Sequence, residues 1–113
     1  MSPVLTVRFY RTTAGNEPVR YWLADEVSSG ARKAIGADIK TVQFGWPIGM
    51  PVVRKMKAGL WEVRSDIPEG IARVLFTIVG AEMVLLHGFV KKTQATPKAD
   101  LDLAVARMKE VKT

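Results

Sequence analysis

Two arginines occupy matching places in two stretches that read as neighbouring strands. Arg64 ends LWEVR and Arg73 lies in IARVLF, with the turn-forming run SDIPEG between them. A hairpin turning around Pro68-Glu69 places Arg64 opposite Arg73. Like charges that face each other across a ladder are destabilising, by about 0.2–1 kcal/mol. Two guanidinium groups held side by side suit one chemistry well, the bidentate binding of phosphate oxygens.

The neighbouring residues extend the pattern. Gly80-Ala81 suits a two-residue type II′ turn, which wants glycine first, and that register sets Arg73 opposite Gly88. A glycine inside a strand marks a bulge or the close approach of a backbone or ligand. Lys92 falls on the same face farther along the last strand, and Lys57 enters from just before the first strand of the hairpin. The expectation is a cationic row with a gap beside it, shaped for a phosphate backbone. The alternative is that Arg64 pairs with Glu62 while Arg73 points into solvent. A slip of one residue would put the arginines on opposite faces.

His87 is the only side chain here that ordinarily titrates near neutrality. It lies in the apolar run MVLLHGFV, where a lone histidine is more often a hydrogen-bonded structural residue than a proton carrier. Phe89 shares a face with His87 and Lys91 and reads as core before it reads as a platform for a base. Lys91 and Lys92 close the strand; beside a cationic row they read as phosphate contacts.

These residues need a scaffold, and the hydropathy pattern supplies one. VLTVRFY over residues 4–10 alternates, with Leu5, Val7 and Phe9 on one face of a strand. Asn16 can cap a helix carrying Val19, Trp22, Leu23 and Val27. Ser28 or Ser29 can cap a second, with Ala31, Ile35, Ile39 and Val42 along one side and Gly45 at its end. GWPIGMPVV over residues 45–53 reads as an apolar loop. Strands follow at about 59–65, 71–79 and 82–91. Thr96-Pro97 then opens a last helix with the stripe Leu101, Ala104, Val105, Met108 and Val111. The order is β-α-α-β-β-β-α. It predicts one α+β domain spanning residues 1–113: a four-stranded, mainly antiparallel sheet, the helical hairpin on one face, and the last helix against an edge or the other face.

Composition narrows the function. The 113 residues carry 17 Lys+Arg against 11 Asp+Glu, a net charge of +6, which favours a polyanionic or acidic partner. The excess is densest over residues 54–92, with 7 basic and 4 acidic groups. The absence of cysteine excludes disulfides and thiolate metal sites, and a single histidine excludes a histidine-rich zinc centre. MSPVLTVRFY has no basic segment leading into an apolar one, and no apolar run approaches membrane-spanning length. A soluble cytoplasmic protein without metal or cofactor is expected.

KAGLWEVR, then ARVLF, then LLHGFVKKTQATP running into a helix with AVARM, resembles the RelE/HigB superfamily of bacterial toxins, in its phage-derived HigB-like branch. The resemblance runs from about Lys55 to Met108. It implies a RelE-like fold and an mRNA interferase that enters the ribosomal A site and cuts mRNA without a metal. It also implies a helix-turn-helix antitoxin as neutralising partner. The family's basic residues fall on Lys57, Arg64, Arg73, Lys91 and Lys92. Some relatives use histidines or a tyrosine near the C-terminus as base and acid; here there is no tyrosine after Tyr21, and His87 stands alone. That leaves open His87, a lysine with a depressed pKa, or catalysis by positioning and charge. Two other classes also stay open: a non-catalytic RNA-binding or regulatory phage protein, and a degenerate toxin kept to bind its antitoxin.

Overall fold

The computed structural model describes residues 2–91 and 95–112. Strand β1 (Thr6–Phe9) is followed by a short helix α1 (Pro18–Tyr21) that runs directly into a π-helical segment, Trp22–Glu26. Helix α2 (Ser29–Gly45) leads to four strands: β2 (Val53–Lys57), β3 (Leu60–Ile67), β4 (Gly70–Val79) and β5 (Glu82–Lys91). Helix α3 (Lys98–Lys112) closes the chain. The strands form one sheet in the order β1-β5-β4-β3-β2.

The sheet is five-stranded and mixed, which corrects the expected four-stranded arrangement. The added strand is β2, antiparallel to β3, which begins at the last residue of the stretch read as a loop and continues through residues to which no element was assigned. β1 runs parallel to β5 at the opposite edge, with Thr6 beside Glu82 and Phe9 beside Leu85. The hairpins fall where the turn residues put them. Ile67 pairs with Gly70 across Pro68-Glu69. Gly80 takes φ +61°, the positive value that the first position of its turn requires.

The Ser28 side chain caps α2, accepting from the Ala31 amide at 3.2 Å. Asn16 does not cap α1; Glu17 stands at that position and makes no side-chain cap bond. The predicted stripe Ala31, Ile35, Ile39 and Val42 is buried. It packs against one face of the sheet with Val63, Val74, Phe76 and Leu85. Trp46 and Trp61 join this core, their ring centroids 5.0 Å apart. The other face carries a second core of Leu60, Leu75, Val84 and Leu86 beneath α3, with Ala104 fully buried and Leu101, Val105, Met108 and Val111 around it. The sheet therefore lies between the helical pair and α3.

Candidate active site

Arg64 pairs with Arg73 across β3 and β4, as the hairpin register requires. Arg73 does not face Gly88. The β4–β5 register shifts between Leu75 and Phe76: Phe76 pairs with Leu85, Leu75 with His87, and Arg73 with Phe89. Leu86 is the extra residue of a bulge, and everything beyond it moves by one. By alternation, His87, Phe89 and Lys91 join Arg64 and Arg73 on the α3 side of the sheet. Gly88 points the other way, against the ring of Trp22. Its missing side chain accommodates an indole rather than opening a gap for a ligand.

Burial divides the two arginines. The Arg73 side chain has 0% exposure and that of Arg64 has 12%. Both were expected on the sheet surface. Fully buried Glu62 makes the difference, because it gives the guanidiniums a shared counter-charge: its Oε1 lies 3.8 Å from Arg64 Nε and 3.8 Å from Arg73 Nη1. Arg73 Nη1 also donates to the Thr96 hydroxyl at 3.0 Å, and that hydroxyl donates to Glu62 Oε2 at 2.6 Å. The predicted Arg64–Glu62 pair thus forms, and it takes in Arg73, which does not point into solvent. Burial lowers the Arg73 pKa, Glu62 opposes that shift, and Arg64 and Arg54 add to it. An arginine remains charged through such a shift, so the repulsion between Arg64 and Arg73 is offset by the carboxylate that both approach.

The remaining cations are dispersed. Lys91 is exposed and pairs with Ile71, two residues beyond the Arg73–Phe89 pair. Lys57 ends β2 opposite Leu60, four residues along β3 from Arg64, about 13 Å of strand. The structure does not bring it to the arginines. Lys92 lies outside the described residues. Arg54 was missed: it pairs with Glu62 and its charge is felt at Arg73. Its only signal was membership of a strand that itself went unread.

His87 Nε2 lies 2.6 Å from Asp100 Oδ1 in the first turn of α3. The carboxylate can only accept, so the neutral imidazole donates through Nε2 and leaves Nδ1 as its acceptor nitrogen. The ring stacks on Phe89 with centroids 5.5 Å apart. Asp100 was not singled out from sequence, because only the seating of α3 brings it to β5. A cleft of about 240 Å³ opens beside His87, lined also by Tyr21, Trp22, Glu26, Gly88 and Arg107. A second, of about 210 Å³, adjoins Arg64 and is lined by Met50, Pro51, Asp66 and Ile71.

Residues 23–109 match the family model described as Phage derived protein Gp49-like (DUF891). The chain belongs to this Gp49-like family. It is a family of RelE/HigB-like toxins. The Gp49-like match takes in α2, all four antiparallel strands and most of α3, and with them Arg64, Arg73, His87, Lys91 and Asp100. It leaves out β1 and α1. No curated protein matches the chain. Among the described residues of this Gp49-like protein no three His, Cys, Asp or Glu side chains gather where they could hold a metal ion, and no helix is long and apolar enough to cross a membrane.

Proposed function

We propose that this protein is the toxin of a type II toxin–antitoxin pair, of the HigB branch. It cuts mRNA in the ribosomal A site and is neutralised by a helix-turn-helix antitoxin. The observation that carries the reading is the His87–Asp100 pair at 2.6 Å, on the same face as Arg64 and Lys91. RNA carries its own nucleophile, the 2′-hydroxyl, and its cleavage needs a base, positive charge on the non-bridging oxygens and an acid at the leaving oxygen. His87 Nδ1 takes the 2′-hydroxyl proton while Asp100 holds the ring and stabilises its cation. The 2′-oxygen bonds to phosphorus as the bond to the 5′-oxygen breaks, giving a 2′,3′-cyclic phosphate and a 5′-hydroxyl. Arg64 and Lys91 face the phosphate, and a lysine ammonium at the end of β5 protonates the leaving oxygen. Arg73 positions Arg64 through Glu62 from beneath.

The test is expression without a partner, with mRNA cuts mapped by primer extension. Growth arrest and discrete cuts are expected for the wild type, and neither for His87→Ala. Unimpaired growth and intact mRNA at high protein level would overturn the reading. The burial of Arg73 removes one expected surface cation and thereby supports the competing view, a degenerate toxin kept to bind its antitoxin; that outcome would select it.

A further inference from the structure

The cleft beside His87 has a second wall, which the phosphate chemistry does not use. β1 ends at Phe9, beside Leu85, so β5 continues past its parallel neighbour. The π-helical segment and α3 close on that edge from either side. Gly88 lets the Trp22 ring press onto the β5 backbone, where even a β-carbon would stand 2.5 Å from it. Tyr21, next to it on the rim, is 59% exposed, a large aromatic left in solvent. Glu26, also exposed, ends the π-helical segment, a geometry that recurs at functional sites. Arg107 is fixed from the other side, donating to the Leu86 carbonyl at 2.8 Å with its guanidinium 5.1 Å over the Tyr10 ring. Two aromatic rings, a carboxylate, a guanidinium and an imidazole therefore converge on about 240 Å³. That is below the usual span of ligand pockets, about 300–1,000 Å³, and suits one planar ring rather than a folded segment.

We propose that this cleft seats a single nucleobase of the RNA, that of a nucleotide flanking the scissile phosphate, and that Glu26 favours a base with an exocyclic amine over uracil. The inference rests on the endoribonuclease reading and adds to it a base-specific subsite. His87 joins the two regions, since it lines the cleft and shares a face with Arg64 and Lys91. A strand whose phosphate lies at those cations has its next base at the β5 edge. Tyr21 supplies a stacking surface, which any base accepts. Glu26 supplies discrimination, because a carboxylate accepts from an amino group such as cytosine N4 and repels a carbonyl. Tyr21 and Trp22 fall just outside the family match.

The experiment has a binding arm and a cleavage arm. Cytidine, uridine and inorganic phosphate are titrated separately into the full chain while the Trp22 indole N–H is followed by NMR. Cytidine is expected to move that resonance at a Kd at least about tenfold below that of uridine, and phosphate to leave it in place. Tyr21→Ala is expected to weaken cytidine binding about tenfold, and Glu26→Gln to erase the preference; both sites are exposed, and thermal melts confirm the fold. On translating ribosomes, Tyr21→Ala is expected to raise KM more than it lowers kcat, and Glu26→Gln to redistribute cuts toward uridine. If the wild type cuts RNA while neither nucleoside moves Trp22, no base is seated there and the inference falls. Equal affinity for cytidine and uridine removes Glu26 as selector and overturns it also. Selective cytidine binding without any RNA cleavage would instead overturn the endoribonuclease reading and leave the base site standing.

Discussion

A β-carbon on Gly88 would lie 2.5 Å from two carbons of the Trp22 ring, so strand β5 and the π-helical segment interlock at a residue that has no room to grow. Gly88→Ala is therefore an overpacking change, of a kind that costs about 1–3 kcal/mol. A melting temperature lower by about 5–15 °C is expected by circular dichroism, with partial recovery on adding Trp22→Leu. An unchanged melt would show that the segment moves freely.

Arg64 and Arg73 face each other but are expected to fail differently. Arg64→Ala is expected to keep a near-native melt and lose about 100- to 1,000-fold in cleavage rate, the usual effect of removing one preorganised contact to developing charge. Arg73→Ala leaves Glu62 buried with half its counter-charge, and breaking a buried pair costs about 3–5 kcal/mol. Its melt is expected to collapse before activity can be read. Urea denaturation of both variants separates the two outcomes.

Asp100 is expected to act through His87. Asp100→Asn keeps the shape but frees the imidazole to take the wrong tautomer. A fall in kcat on the order of 100-fold with little change in KM is expected in single-turnover cleavage on ribosomes, alongside a drop of about 100- to 10,000-fold for His87→Ala. A kcat for Asp100→Asn equal to that of the wild type would count against the pairing.

Alkaline stability is expected to depend on Tyr10. Burial first, then its 2.9 Å hydrogen bond to Glu110 and that residue's charge, push the phenol above its ordinary value of about 10. As pH rises past that value the unfolded chain releases the proton while the folded chain keeps it, so stability falls until the folded phenol ionises too. Tyr10→Phe is expected to be less stable near neutrality, through loss of the hydrogen bond, and to show a flatter decline above pH ~10 in urea titrations.

The parts of the fold written as strict alternation or as a helical stripe were legible in sequence: β1, the β3–β4–β5 meander, α2 and α3. β2 was not, because VRKMK is an edge strand with only Val53 buried, and its polarity hides the period of two. The π-helical segment carries no composition signal, and its residues repeat as those of an α-helix would. The bulge at Leu86 lies inside an unbroken apolar run, where one extra residue leaves no mark. Gly88 did signal a close approach, but by Trp22 from the opposite face. The burial of Arg73 was foreshadowed only by its apolar neighbours Val74 and Leu75, because its counter-charge, Glu62, and its hydrogen-bond acceptor, Thr96, come from separate elements.

The parallel pairing of β1 with β5 sets the order of assembly. β2 through β5 are joined by short turns and can zip locally, whereas Thr6 finds its partner only at Glu82. During synthesis the first strand to emerge therefore stays unpaired until the last is out, carrying Leu5, Val7 and Phe9 without a sheet to bury them. Arg73, with Thr96 still unmade, waits as well. A chain stalled short of β5 would expose a sticky N-terminal segment and an unfinished ion network. Quality control on the nascent chain would meet an aggregation-prone fragment.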